Sequence, residues 1–279
     1  MVAILVIAIF VSLCWHFLSG EPAYQGKRLS AWIQDLEWVT SNLNSEAKTN
    51  RHAAAVLAVR QIGPSGLPFL LRGLRTEGSR WEPNKETWSH LLHVNYVPPR
   101  EHNARIFAAI EALGSDARSG MPTMVEILQS GRIPGMAIVL RETFGPDAIP
   151  YLIEGLTNRF AQVRAASAAG LRGLGHSGEP AMDALIAGFA DGDRDARLQC
   201  VVAAGRVRGR SPAAVPALIR MLKDPDHEVR AQAAKALGLY GPKALDALPE
   251  LRRATEDKEG QVSERAIEAL KMIQAGDPP

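Results

Sequence analysis

Residues 228–240 read Glu228-Val229-Arg230-Ala231-Gln232-Ala233-Ala234-Lys235-Ala236-Leu237-Gly238-Leu239-Tyr240. Val229, Ala233, Ala236 and Tyr240 fall three or four apart, so the stretch predicts a helix with one apolar face. Gly241-Pro242 stops it, because glycine suits a left-handed position after a helix and proline cannot continue one. Leu245, Leu248 and Leu251, with Pro249 in the first turns, predict a second helix beyond that corner. An Asp-rich turn follows each such pair, and aspartate can cap the helix after it. Helices this short and rich in alanine cannot bury their apolar faces alone, so they must stack on neighbours of the same kind.

The neighbours are visible as an internal repeat. Arg164, Arg197 and Arg230 are each 33 residues apart, as are Asn158, Asp191 and Asp224, six residues earlier in each case. Leu156, Phe189 and Leu222 form a third series, and the small residues Ser167, Cys200 and Ala233 a fourth. Pro150, Pro216 and Pro249 belong to a fifth, in which Asp183 replaces proline. Upstream the corners recur at looser spacing, as Ile62-Gly63-Pro64, Leu113-Gly114, Phe144-Gly145-Pro146 and Leu174-Gly175, with Pro68, Pro122 and Pro150 opening second helices. The expected fold is all-α: an α-solenoid of about six two-helix repeats between Ser45 and Lys258, a terminal helix Val262–Gln274, and an N-terminal transmembrane or signal-anchor helix. Low aromatic content (6%) fits close-packed helices better than a sandwich or barrel.

Asp226 to Gly238 fits Asp-x-x-Val-Arg-x-x-Ala-Ala-x-Ala-Leu-Gly and resembles the HEAT-repeat superfamily, in the short form of phycobilisome-lyase-like repeats. Asp193 to Gly205 keeps the spacing, with Ala196 for valine and Ala204 for leucine. The resemblance speaks for architecture and implies no single function. Tyr24-Gln25-Gly26-Lys27-Arg28-Leu29-Ser30-Ala31-Trp32-Ile33 is similar to the segment behind the N-terminal apolar stretch in uncharacterised HEAT proteins of verrucomicrobial-type bacteria, which implies a bacterial envelope protein. Ser30 is expected to cap a helix bearing Leu29, Trp32, Ile33, Leu36 and Val39 on one face, closing the open end of the stack.

Val2–Leu18 is uncharged and apolar, and as a helix spans about 26 Å, close to a hydrocarbon core. It reads as an uncleaved anchor or as a signal-peptide core. No basic residue precedes it, and Leu18 stands where a cleavage site needs a small residue, which favours the anchor. Lys27 and Arg28 after the span place the following chain in the cytoplasm by the positive-inside rule, whereas the envelope resemblance implies the periplasmic side. The expected organisation is a transmembrane or signal-anchor segment at 1–20, a linker and capping helix at 21–44, and repeats over 45–279 with an irregular insert at 76–100.

That insert carries Trp81, Trp88 and Tyr96, aromatic anchors of the kind interfaces favour, together with His90 and His93. The two histidines, with His102 nearby, share a helical face but lack a carboxylate or cysteine to complete a metal set. Packing of the insert against the solenoid is the alternative to recognition. A second candidate surface is the corner holding Arg206, Arg208 and Arg210. Aspartates 191, 193 and 195 interleave there, which argues against a nucleic-acid ridge, and the net charge is only +2 from 32 Lys+Arg and 30 Asp+Glu. The series Arg164, Arg197 and Arg230 is expected to stabilise the repeats by bridging to the turn aspartates Asp191 and Asp224.

Catalytic signatures are missing. No P-loop, dinucleotide fingerprint or nucleophile elbow occurs. The single His227-Glu228 pair cannot supply the several His-Glu pairs that di-iron enzymes of this architecture use. Cys200 shares the small-residue position and reads as a core thiol. The sequence therefore predicts a single-pass membrane-tethered scaffold for a protein or peptide partner, with no catalysis, cofactor, metal, nucleic acid or small-molecule substrate, and a groove lined by the second helices. A phycobilisome-lyase-like enzyme or chaperone and a nucleic-acid-binding solenoid are the alternatives.

Overall fold

A computed structural model describes residues 21–36, 46–74, 99–209 and 211–275. The chain divides into two compact units, one running to Met124 and one from Val125 onward.

The first unit opens with a two-residue hairpin. Strand β1 (Ala23–Tyr24) pairs antiparallel with β2 (Lys27–Arg28). Gln25 and Gly26 form its turn with φ of 50° and 74°, the left-handed pair that a tight hairpin needs. Helix α1 follows at once (Leu29–Ile33), and its N-cap is Arg28, without a side-chain cap bond. The expected Ser30 cap is thus incorrect. The hairpin brings Glu21 back over the helix start, so the Ser30 N–H donates to Glu21 Oε1 at 2.6 Å instead. Trp32 Nε1 donates to the Tyr24 carbonyl (3.3 Å), and Lys27 Nζ lies 3.9 Å from the centre of the Trp32 ring while meeting Asp35 Oδ2 at 2.5 Å. Leu29 and Leu36 are fully buried beneath this knot. Helix α2 (Glu46–Ile62) and α3 (Leu67–Gly73) then form a two-helix pair, and α4 (Pro99–Leu113) packs on both.

Residues Thr49–Gly73 have the length and mean hydropathy (1.3) of a membrane span. Gly63, however, takes φ +64° in their middle, and Gly63–Gly66 form a 3-10 turn that separates α2 from α3. A corner, not a continuous span, occupies that stretch. The apolar run 2–18 lies outside the described residues.

Helix α5 (Met121–Gln129) carries the boundary between the units. The second unit continues with α6 (Met136–Phe144) and α7 (Ile149–Gly155), α8 (Ala161–Gly173) and α9 (Met182–Ala187), α10 (Arg194–Val207) and α11 (Ala214–Met221), α12 (His227–Tyr240) and α13 (Leu248–Ala254), and ends on α14 (Gly260–Ala275). First helices pack against first helices, in the order α6, α8, α10, α12, α14. The faces in contact are made of alanine and glycine: Ala203, Ala204, Ala233, Ala234 and Ala236 are at most 2% exposed. A Cβ on Gly205 would lie 2.8 Å from that of Ala236, and one on Gly238 would lie 3.0 Å from Ala269 Cα. Small residues therefore set the close spacing of the helices.

Second helices pack on the same principle of matched volume. A Cβ on Gly155 would sit 2.1 Å from Ser167 Oγ, and one on Gly188 2.4 Å from Cys200 Sγ. Those two glycines are 33 residues apart, and Met221 holds the equivalent place in the pair where the small residue shrinks to Ala233.

Candidate functional site

Two features of the second unit carry charge: a ladder of arginines along the turns, and a cavity on the faces of the first helices.

The ladder begins at each inter-repeat turn. Asp191, Asp224 and Asp257 each accept the backbone N–H two residues ahead, from Asp193, Asp226 and Glu259, at 2.9–3.0 Å. Asp193 and Asp226 in turn cap α10 and α12, accepting from Ala196 and from Glu228 and Val229 respectively. Into this turn reaches an arginine from the preceding repeat. Arg164 grips Asp191 through Nε and Nη2 at 2.6 and 2.7 Å, Arg197 grips Asp224 at 3.2 and 3.4 Å, and Arg230 grips Asp257 at 2.7 and 2.9 Å. The third nitrogen, Nη1, donates backwards to its own turn: to the carbonyls of Asn158, Asp191 and Asp224 at 2.9, 2.8 and 3.0 Å. The planar fork thus ties two consecutive turns together, which a lysine cannot do.

These bonds move the ionisation equilibria. The bonds from Arg164 and Arg230 hold the Asp191 and Asp257 carboxyls below the ordinary 3.8, against the opposing effect of burial. Burial pushes Asp226 up, but the Arg194 guanidinium and the N–H groups of Val229 and Glu228 outweigh it and bring that group below 3.8 as well. Asp257 completes the ladder and was missed in the sequence reading, although it lies 33 residues beyond Asp224. The opposite end is also informative. The arginine register falls on Gly131, 33 residues before Arg164, and the matching turn residue is the neutral Asn158. With no cation to meet, an amide replaces the carboxylate, and its Nδ2 donates to the Gln129 carbonyl and Oε1 at 3.0 and 2.6 Å.

Arg194 lies outside that register and makes a second bridge, to Asp195 (2.7 Å), Asp226 (3.2 Å) and Glu228. Glu228 of the His227-Glu228 pair is therefore an ion-pair partner. Cys200 is buried, and that burial pushes its thiol up to about 12. His102 Nε2 donates to the Gly73 carbonyl at 2.9 Å. Among the described residues, no three His, Cys, Asp or Glu side chains are grouped to hold a metal ion.

The cavity has a volume of about 1040 Å³ and is bounded by residues of α8, α10 and α12 and the Gly175 corner. It is lined by the apolar or small residues Leu198, Val202, Gly205, Ala236 and Leu239, by the polar Gln199, Gln232 and His176, and by the charged Arg172, Arg206, Arg208, Lys235 and Glu228. The first helices line it, where the sequence reading expects a groove on the second helices. Of these lining residues Arg206 is exposed and Arg208 half-buried, the latter donating from Nη1 to the Leu239 carbonyl at 3.4 Å. Of the other expected contact residues, Arg210, Trp81, Trp88 and Tyr96 lie outside the described residues, as do His90 and His93. The sequence signal for the missed lining was present in Gln199 and Gln232, which are 33 residues apart.

The corner beside the cavity departs from its siblings. Gly63, Gly114, Gly145, Gly175 and Gly241 all hold positive φ at the end of a first helix, between 52° and 64°. Gly145 and Gly241 combine it with ψ of −128° and −135°, a region closed to residues with a Cβ. Arg208 occupies the equivalent place, 33 residues from Gly175 and from Gly241. It adopts φ 48° and ψ 46°, the left-handed region that L-residues enter only at a cost. The 3-10 turn that follows Gly175 and Gly241 has no counterpart among the described residues after Arg208.

Comparison with known proteins agrees with the repeat. No curated protein matches the chain in sequence. Among solved structures it is similar to an engineered protein (19% identity, 75% of this chain and 97% of that one, TM-score 0.49). It is similar also to human deoxyhypusine hydroxylase in complex with glycerol (20%, 88% and 96%, TM-score 0.38). A third is the complex of CpcE and CpcF of phycocyanin lyase from Nostoc sp. (17%, 91% and 97%, TM-score 0.38). At these identities none transfers an activity. The family model described as HEAT repeats matches residues 182–271, the segment that holds α9 to α13, most of α14 and the last two rungs of the ladder, so this stretch of the chain is built of HEAT repeats.

Proposed function

We propose that the chain is a membrane-tethered HEAT-repeat scaffold that binds a protein or peptide partner and performs no catalysis. The observation that carries this reading is the cavity across α8, α10 and α12. Its walls belong to three consecutive repeats, so an occupant would touch several rigid, mutually braced helices at once. The residues that brace the repeats are regular in sequence, whereas the charged side chains facing the cavity change from one repeat to the next, with only the glutamines at 199 and 232 kept: Arg172 aligns with Gly205 and Gly238, and Arg206 with Gly173 and Leu239. A scaffold that keeps its frame constant and varies one face has the composition expected of a recognition surface.

The tether rests on Val2–Leu18, whose length and lack of charge suit a short anchor. Trp81, Trp88 and Tyr96 of the insert are proposed as a second contact region because aromatic side chains concentrate at interfaces.

Cross-linked capture from membranes, with the full chain and with a Trp81→Ala/Trp88→Ala variant, tests the reading. A defined partner recovered with the full chain is the expected result, and its loss in the variant places the insert in the contact. Failure to recover any partner, with the protein fully extractable by carbonate, would refute both scaffold and tether.

A further inference from the structure

On the scaffold reading, which this step presupposes, the chemistry of the occupant can be named. Four cationic side chains line the cavity, Arg172, Arg206, Arg208 and Lys235, against one carboxylate, Glu228. Glu228 is already engaged by Arg194. The four cations differ from the ladder arginines in one respect: among the described residues, none of them forms an ion pair with a carboxylate. Arg172 reaches only the Gln199 amide oxygen (3.3 Å) and Arg208 only the Leu239 carbonyl (3.4 Å). In a chain of net charge +2, the cavity therefore concentrates unneutralised positive charge, which neighbouring walls of low polarisability strengthen.

A second observation is independent of the charge count. At a corner lining the cavity, glycine is replaced by an arginine held in the left-handed region, whereas five other corners keep glycine. The fold tolerates backbone strain at the one corner that places a guanidinium beside the cavity.

A third distinguishes the class of anion. Gln199 and Gln232 stand at equivalent places on adjacent helices and both face the cavity. A primary amide offers donors and an acceptor together, which complements a peptide backbone; a phosphate backbone offers acceptors only. Leu198, Val202 and Leu239 between them supply apolar contact for side chains.

We infer that this cavity binds an extended acidic peptide segment of the partner, with Gln199 and Gln232 pairing its backbone and Arg206, Arg208 and Lys235 meeting its carboxylates. The bonds involved are charge-assisted and partly open to water, so binding weakens as salt is raised.

The test is fluorescence anisotropy with the full chain and three probes: a labelled Glu-rich peptide, the same peptide with Gln for Glu, and a short single-stranded oligonucleotide. The Glu-rich peptide is expected to bind, and the Gln peptide to bind at least roughly tenfold more weakly. Arg206→Ala and Lys235→Ala are expected to weaken binding by a similar factor. Arg208→Gly is the decisive variant, because it removes the guanidinium and relieves the backbone: affinity is expected to fall while the thermal midpoint does not. Equal binding of the Glu and Gln peptides, or full affinity in Arg206→Ala and Arg208→Gly together, overturns the inference. Tighter binding of the oligonucleotide than of the Glu peptide overturns it in favour of nucleic acid. The same variants in cross-linked capture separate this failure from failure of the scaffold reading: a partner that both variants retain leaves the scaffold standing and removes the cavity from it.

Discussion

Replacing Arg230 by alanine removes the most deeply buried of the three ladder arginines. The residue is 9% exposed, and its side chain and that of Asp257 keep 11% and 14% of their accessible surface. Four hydrogen bonds disappear: two to the Asp257 carboxylate at 2.7 and 2.9 Å, and two to the carbonyls of Asp224 and Pro225 at 3.0 and 3.2 Å. Asp257 keeps only the Glu259 N–H, at 3.0 Å. Loss of one partner from a fully buried pair costs about 3–5 kcal/mol, whereas an exposed pair is worth about 0–1 kcal/mol. This pair is largely but not wholly shielded from water and sits in a stack only two helices deep, so the polarisable solvent is never far away. The expected cost is therefore about 2–3 kcal/mol, between the two limits. For a chain of this size that corresponds to a fall in thermal midpoint of about 4–12 °C. Urea denaturation of the wild type, Arg230→Ala, Asp257→Ala and the double variant would measure it. Because the two residues act on the same bonds, the double variant should cost little more than the worse single one, a coupling of about 2 kcal/mol. A coupling below about 0.5 kcal/mol would refute the reasoning, since that is the value of an exposed pair.

The remaining predictions concern acid, volume and reactivity. Asp191, Asp226 and Asp257 have folded-state values below the ordinary 3.8, so the stability they contribute is fully present above about pH 4 to 5 and is lost as pH falls through those lowered values. Acid unfolding followed by circular dichroism should show this loss, and Asp257→Asn should flatten part of it; an unchanged acid profile in that variant would contradict the assignment. Gly188→Ala drives a Cβ to 2.4 Å from Cys200 Sγ and should cost about 1–3 kcal/mol in chemical denaturation. Cys200→Ala in the same chain should recover most of that, as Ala233 tolerates the larger Met221; equal losses in the single and double variants would show that the backbone, not the sulfur, sets the limit. The Cys200 thiol, pushed up to about 12 by burial, should resist a thiol-specific reagent at pH 8 in the folded protein and react on unfolding. Rapid labelling of Cys200 in the native state, read by peptide mass spectrometry, would contradict its placement in the core.

Much of the frame is legible because each repeat is nearly its own instruction. The 33-residue register, the glycine corners and the small residues at 167, 200 and 233 each specify a local contact, and the same contact recurs in the next repeat. Even the end of the ladder can be followed in the register, where Gly131 stands in place of an arginine and Asn158 in place of an aspartate. Ser30 shows the limit. As a serine before an apolar run it has the pattern of a cap, but the helix begins one residue earlier, at Leu29, and the hairpin at Tyr24–Lys27 returns Glu21 to accept the Ser30 N–H itself. Nothing within the helix's own sequence encodes that return.

The cavity belongs to the same class of facts. Amino-acid order by itself determined the helical pairs, their stacking and the register of arginine on aspartate, because these follow from period, volume and turn chemistry within a repeat and its neighbour. The face on which the repeats leave space, the assembly there of Arg172, Arg206, Arg208 and Lys235 with Gln199 and Gln232, and the separation of unpaired arginines from paired ones were decided only by the tertiary structure. The physical reason is that an ion pair between equivalent positions repeats with the chain, whereas a shared field among side chains from three helices depends on how those helices are placed side by side.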